Sequence, residues 1–537
     1  MPSFFESVER FCKTHRRGAL QAPGALKRWR SHLSSGTAKL LIAVLLNLFF
    51  AIACWAAQPA EPPVRMPIVT AKMHEYSRLE YLSYFFGVAY EMLVFYLIVE
   101  SGLSSYMRDR AETDAKNPIA QFLLYFVSLY LVLALAGFPL AYGCDFVMEH
   151  YFGLSKETFL NWIGDLLKAG LIIFAVLAPV NGAFFWLVRK FPKRWPIYFC
   201  IVCSVVAAFE TFASPIIFEP MLNKFTPMEE SPLKTQIQQL AAKAGAPDAP
   251  IIVADKSRQT EKFNAYVSGL GSSTHVVIWD TTLKLPPDQV LGIVGHELGH
   301  YYYHHVLLDF LLVVGVNILI VPINMYLAAP FAAHLPKRWK IRGLGDYAIL
   351  PVVALIAGAG AFLSDPLTNY ITRMEESAAD AFSLKVTGNR NALARVFVSL
   401  SEQNLSDPDP PPFIKFWLFS HPTLKERIEF ALGTSAPPSK LDEARQEAKL
   451  HPHSVQAHLD LGSILLEVSE YSGAISEYEQ ALRLDPKNAD AIFYLSRVYQ
   501  ETGDKRQESE LLRRFLQTGS PADPHGKAAQ KRLKELQ

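Results

Sequence analysis

Cysteine is scarce in this chain and confined to its first half: Cys12, Cys54, Cys144, Cys200 and Cys203 all precede position 204. Disulfides and thiolate metal ligands are therefore excluded from everything downstream. An excess of one charge is lacking too. With 52 Lys and Arg against 51 Asp and Glu, the formal net charge is +1, which offers no basic surface for nucleic acid. Only the first forty residues lean basic, through Arg10, Lys13, Arg16, Arg17, Lys27, Arg28, Arg30 and Lys39. That tail runs too long before its first apolar stretch for an ordinary cleaved signal peptide. Cys200 and Cys203 form a CxxC, but inside the apolar run IYFCIVCSVV it suits a lipid- or core-facing pair better than redox chemistry.

What the chain has in quantity is hydrophobic residues, half of its 537, and a positive mean hydropathy. Membrane spans are the natural explanation. Seven segments approach the ~20 apolar residues a membrane helix needs: Leu40–Ala57, Tyr81–Leu103, Ile119–Tyr142, Leu171–Val188, Ile197–Phe218, Val306–Ala329 and Tyr347–Leu363. Several carry groups that are costly in lipid, among them Glu91, Glu100, Asn181, Glu210, Asp309 and Asn317, and such groups face a bundle interior, a watery cavity or the interface. Between the third and fourth spans, YFGLSKETFLNWIGDLLKAG places Phe159, Trp162, Ile163, Leu166 and Leu167 at helical spacing, as a helix lying on the membrane would. After the fifth span a water-compatible stretch begins near Met228. It predicts a helix over Lys234–Ala244 and strands at Pro250–Ala254 and Thr274–Asp280.

The chemistry begins at LGIVGHELGHYYYHH, Leu291 to His305. His296 and His300, four apart on one helix face, can present imidazole nitrogens to one zinc ion, and Glu297 can take a proton from a zinc-activated water. Pro286, Pro287 and Asp288 suit the helix start, and Val290, Ile293, Val294 and Leu298 supply its apolar face. His304 and His305 read as interfacial histidines. A third ligand is wanted, and the helix predicted over Arg373–Gly388 offers Glu376 as ligand with Asp380 accepting a ligand histidine's other ring N–H. By spacing alone, an acidic pair four apart more often describes a solvated face, and its place just after a membrane span in an Ala-rich stretch favours the site.

HELGH at His296–His300 with ExxAD at Glu376–Asp380, and Arg373 three residues ahead of Glu376, resembles the type I CaaX prenyl endopeptidases, seven-helix membrane zinc proteases. YFGLS with the later Trp162 and Asp165, NKFTPM, NAYVSGL at Asn264–Leu270 and SHPTLKERI at Ser420–Ile428 extend the resemblance over residues 35–432 or so. It implies one zinc per chain held by His296, His300 and Glu376 rather than Glu375, with Glu297 as general base and Asp380 behind a ligand. It implies that Asn264, Ala265 and Tyr266 help present an edge strand to the substrate backbone, that His421 assists at the scissile carbonyl, and that Arg427 stands near the site. On sequence grounds His421 also reads as a structural loop residue before Pro422.

The chain changes character near Lys440. His458, Leu461, Gly462, Leu465, Ala474, Tyr478, Ala481 and Pro486 follow tetratricopeptide (TPR) spacing, and a second copy starts near Ala489 and then degenerates. The expected fold is thus mainly α: a polytopic membrane bundle of about seven spans, a small α+β zinc-protease domain and a C-terminal TPR helical repeat domain. The divisions are a basic tail (1–38), a membrane-embedded metalloprotease (39–432, with soluble parts near 225–305 and 370–432), a linker (433–440) and repeats (441–537). Expected partners are a peptide or protein substrate, prenylated in the resembled family, membrane lipid, and a protein bound by the repeats. The resemblance implies a cytoplasmic zinc domain. The basic loops (Arg108, Arg110, Lys116; Arg189, Lys190, Lys193, Arg194; Lys337, Arg338, Lys340, Arg342) imply the opposite side. Two rival functions are a quality-control protease for unprenylated membrane proteins and a repeat scaffold with a vestigial zinc site.

Overall fold

A backbone crossing lipid has to satisfy its own N–H and C=O groups, so long apolar runs fold as helices. The computed structural model describes residues 63–212, 217–269, 273–518 and 524–536. The basic tail and the first expected span, Leu40–Ala57, lie outside the described residues. The membrane part comprises α1 (Ala71–Glu100), α2 (Leu103–Asp114), α3 (Pro118–Ala141, continued through a π-helical stretch to Tyr151), α4 (Phe159–Lys190) and α5 (Trp195–Phe212). Of these, α1, α3, α4 and α5 are long and apolar enough to cross a membrane. They carry the second to fifth expected spans.

One expectation fails here. The stretch assigned to a helix lying on the membrane is the first part of α4, a single 32-residue helix capped by Thr158. The Trp162 ring packs against Phe138, Tyr142, Phe146 and Phe159. An amphipathic period records that one face is covered, not whether lipid or a neighbouring helix covers it.

The water-compatible unit follows: β1 (Phe225–Pro227), α6 (Pro232–Lys243), β2 (Ile251–Ala254), β3 (Ala265–Ser268) and β4 (His275–Trp279). The sheet order is β1-β2-β4-β3, with β2 and β4 parallel and the outer pairs antiparallel. Among the described residues β3 pairs with β4 alone, so its other side is an edge. Val276, Val277 and Ile278 of the central strand are fully buried. Ile251, Val276 and Ile278 join Ile237 and Leu240 of α6 and Val290, Val294 and Leu298 of the next helix in one core.

That next helix is α7 (Pro287–Tyr302), followed by α8 (His305–Ala333), α9 (Leu350–Thr387), α10 (Arg390–Gln403), α11 (Pro412–Leu418) and α12 (Leu424–Leu432). α8 carries the sixth expected span. It qualifies as a membrane crossing together with α7, from which it is bent by 47°. The seventh span and the helix predicted over Arg373–Gly388 are one element: α9 runs 38 residues through both and stops at Gly388, whose φ of 68° ends the helix. Pro366 removes one backbone donor without breaking it. At the far end of the bundle the basic loops interlock. Arg108 pairs with Asp346, Arg342 with Glu112 at 2.8 Å, and Arg338 with Glu100 at 2.8 Å.

The repeats are α13 (Lys440–Leu450), α14 (Val455–Glu467), α15 (Tyr471–Leu484), α16 (Ala489–Thr502), α17 (Lys505–Thr518) and α18 (Pro524–Glu535). The Gly462–Tyr478 pair has a steric cause, since a Cβ at 462 would lie 2.8 Å from the Tyr478 ring. The second copy does not degenerate structurally. α17 completes its helix pair by burying Leu511, Leu512 and Phe515, although few of its residues match the repeat pattern. An extended strap ahead of α1 ties the repeats to the sheet-bearing unit: Val64 and Met66 pack in the core of that unit and Ile68 in the repeat core. Met66 N–H donates to the Pro437 carbonyl at 2.9 Å, and Arg65 pairs with Glu443.

Candidate active site

Glycine spacing decides how the site closes. A Cβ on Gly292 would lie 3.1 Å from Val396 Cγ2, one on Gly295 3.0 Å from Ser383 Oγ, and one on Gly299 2.9 Å from Ala379 Cα. These three glycines line the faces of α7 that meet α9 and α10, and the Ser383 hydroxyl donates across the seam to the Gly292 carbonyl at 2.7 Å. With the helices this close, short side chains meet. His296 Nε2 and His300 Nε2 are 3.2 Å apart. Glu376 Oε2 lies 3.1 Å from the first, and Glu376 Oε1 lies 3.4 Å from the second.

Among the described residues these three form a group whose donor atoms all lie within 4.8 Å of one another, close enough to hold one metal ion. The donor set fits such an ion on a further count. Glu376 Oε2 is buried, and among the described residues its contact with His296 Nε2 at 3.1 Å does not have the geometry of a formed hydrogen bond, which is costly unless something binds it.

Behind the trio, Asp380 Oδ1 is 2.8 Å from His296 Nδ1. Arg427 clamps the same carboxylate with two bonds, Nε to Oδ2 at 2.8 Å and Nη2 to Oδ1 at 2.7 Å, while its guanidinium stacks 4.3 Å over Phe397. Both partners are almost wholly buried. His421, from the loop between α11 and α12, brings Nε2 to 3.3 Å from Glu376 Oε1, with its Nδ1 2.9 Å from Ser420 Oγ. Its side chain is half exposed, and partial desolvation lowers its pKa from the ordinary imidazole value. Glu297 shares a cavity of about 110 Å³ with Asn264, His296, His421 and Arg427, backed by Ile293, Val396, Phe397 and Leu400. Burial pushes its carboxyl above the usual carboxylate range, against the pull of the two histidines.

The residues singled out in the sequence therefore divide into two groups. His296, Glu297, His300, Glu376, Asp380, His421 and Arg427 converge, and Asn264 lines the same cavity. Ala265 is buried in the core, and Tyr266 turns its hydroxyl to Glu219 at 2.9 Å, so these two adjoin the site through the backbone of β3. Arg373 stands off the cavity and donates to the Phe419 carbonyl, tethering the loop that carries His421. His305, expected at the membrane interface, is 6% exposed with Nδ1 2.9 Å from Nδ1 of His300. Its spacing of five from His300 gave no helical reason to pair them.

Residues 227–435 match the profile of peptidase family M48. Residues 69–224 match that of the CAAX prenyl protease N-terminal region of five membrane helices, and residues 462–503 match a TPR repeat. An uncharacterized metalloprotease of Bacillus subtilis is 28% identical over 76% of this chain and 97% of its own length. CAAX prenyl protease 1 of Saccharomyces cerevisiae is 30% identical over 58% of this chain and 72% of its own. The crystal structure of S. mikatae Ste24p superposes with a TM-score of 0.57 at 26% identity, covering 67% of this chain and 88% of that one.

Proposed function

We propose that this chain, which belongs to the CAAX prenyl protease group of M48 metallopeptidases, hydrolyses peptide bonds of membrane-associated substrates, including prenylated CaaX-type ones, at a zinc site. The observation that carries this reading is the convergence of His296 Nε2, His300 Nε2 and the buried Glu376 carboxylate beside Glu297. Three protein donors leave the open position that catalytic zinc sites keep.

When bound, one zinc ion per chain supplies Lewis acidity, polarising a scissile carbonyl and acidifying water. Glu297 takes the water's proton and hands it to the leaving amine, and a carboxyl raised by burial suits both steps. The Ser420 hydroxyl, 2.9 Å from Nδ1 of His421, can donate there, and that tautomer carries its hydrogen on Nε2. That N–H donates to the carbonyl oxygen as charge builds there. Asp380, held by Arg427, fixes the ring of His296. The free edge of β3 pairs with an extended peptide backbone by strand addition, while the cavity beside Glu297 receives one side chain.

The repeat domain favours a second reading of the substrate. Helical repeats offer a surface to peptides or partner proteins, and the strap fixes this domain to the sheet-bearing unit, which suits delivery of unprenylated membrane proteins for quality control. Peptides of one sequence with and without the prenyl group separate the two readings. Glu297→Gln is expected to keep zinc and lose cleavage by about 10²–10⁴-fold; undiminished cleavage by a clean preparation would sink the assignment. Accessibility of a C-terminal tag in sealed vesicles distinguishes the cytoplasmic side from the opposite one implied by the basic loops.

A further inference from the structure

The bend between α7 and α8 folds a third imidazole back onto the ligand pair. α7 ends at Tyr302, His304 adopts a left-handed φ of 56°, and α8 begins at His305. A continuous helix would carry residue 305 around the axis and away from His300. The reversal instead sets the two rings edge to face, with centroids 5.0 Å apart and planes at 75°. Their Nδ1 atoms are 2.9 Å apart, and His305 is 6% exposed, whereas its neighbour His304 is exposed.

Two ring nitrogens at that distance share one hydrogen, because one must donate and the other accept. His300 directs Nε2 toward His296 Nε2 and Glu376. An imidazole that ligates through Nε2 carries its hydrogen on Nδ1. His305 Nδ1 is then the acceptor, and the hydrogen of His305 sits on its own Nε2.

We propose that His305 is a positioning residue for the metal. As a neutral Nε2–H tautomer it accepts the Nδ1–H of His300 and fixes the tautomer and ring plane with which His300 meets the ion. The two ligand histidines are thereby backed from different helices, His296 by the carboxylate of Asp380 on α9 and His300 by a neutral ring on α8. This inference rests on the metal-site reading above.

The test compares His305→Leu, which keeps an apolar volume without an acceptor, with His305→Gln, which restores an acceptor. Zinc affinity is measured on the full-length protein in detergent by competition with a chromogenic chelator. His305→Leu is expected to weaken zinc binding by about 10–100-fold, His305→Gln to recover most of that loss, and KM to stay level while kcat follows zinc occupancy. The proposal is overturned if His305→Leu binds zinc within about twofold of the parent, or if Gln and Leu lose equally, the mark of a packing role. Should both variants misfold, ¹⁵N-histidine spectra of the zinc-loaded parent decide: hydrogen on His300 Nδ1 and His305 Nε2 supports the proposal, and the reverse overturns it. A parent that binds no zinc contradicts the metal-site reading itself.

Discussion

Gly299→Ala puts a single methyl group into the narrowest part of the seam between α7 and α9. That Cβ would lie 2.9 Å from Ala379 Cα, 3.1 Å from the Ala379 carbonyl oxygen and 3.2 Å from Ala379 Cβ. Carbon atoms prefer about 3.5–4.0 Å, and the obstacle is backbone, which cannot rotate aside. The helices must therefore part by roughly 0.6–1 Å at this level. In a helix interior the substitution gains about 1 kcal/mol of intrinsic propensity, while overpacking costs about 1–3 kcal/mol. The net destabilisation is thus only about 0–2 kcal/mol.

The metal site has less slack, because ligand distances are held to about 0.2 Å. His300 is the next residue on one side of the seam, and Glu376 and Asp380 flank Ala379 on the other. Zinc affinity is therefore expected to fall far more than the melting temperature. Chelator competition and a detergent melt on the same preparation measure both. Gly315→Ala is the control, since among the described residues nothing beyond its own helical turn lies within 4 Å of a Cβ there. Parental zinc affinity together with a stability gain of about 1 kcal/mol in Gly299→Ala would refute the view that glycine sets the distance between the ligand-bearing helices.

Arg427→Leu strands Asp380, whose side chain is 2% exposed, as a buried charge without its partner. A loss of about 3–5 kcal/mol is expected in denaturant melts, only partly restored in Arg427→Lys because an ammonium cannot reproduce the two-pronged clamp; a loss under about 1 kcal/mol would mean the pair is not desolvated. His421→Phe should lower kcat by about 10²–10³-fold with zinc content and KM near parental values. A parallel loss of zinc would reassign His421 to holding the metal site together.

Local chemistry was legible wherever a residue's role follows from its neighbours in sequence. His296 and His300 share a face because four residues make about one turn, and ExxAD repeats that spacing at Glu376 and Asp380. The choice of Glu376 over Glu375 came from the family resemblance, and the structure turns Glu376 toward the two histidines. Roles set by distant packing were not legible. Trp162 looked lipid-facing because the aromatic cluster that covers it comes largely from α3. His305 looked interfacial because the left-handed turn at His304 leaves no periodic trace. α9 was divided in two because its composition changes from membrane-like to water-compatible midway, a change of solvent that the backbone ignores. α17 fell outside the repeat pattern because packing needs only a few apolar positions, here Leu511, Leu512 and Phe515.

The unbroken course of α9 joins a span-length apolar segment to the one that carries Glu376 and Asp380. Glu376 stands about 39 Å along the helix from Leu350, at 1.5 Å per residue, so a tilt of about one degree about the lower end displaces the carboxylate by roughly 0.7 Å. His296 and His300 stand on a different helix, α7, which meets α9 at the glycine seam. Helices answer a change in hydrocarbon thickness by tilting. A tilt of α9 that α7 does not share would therefore change the spacing of the ligand groups.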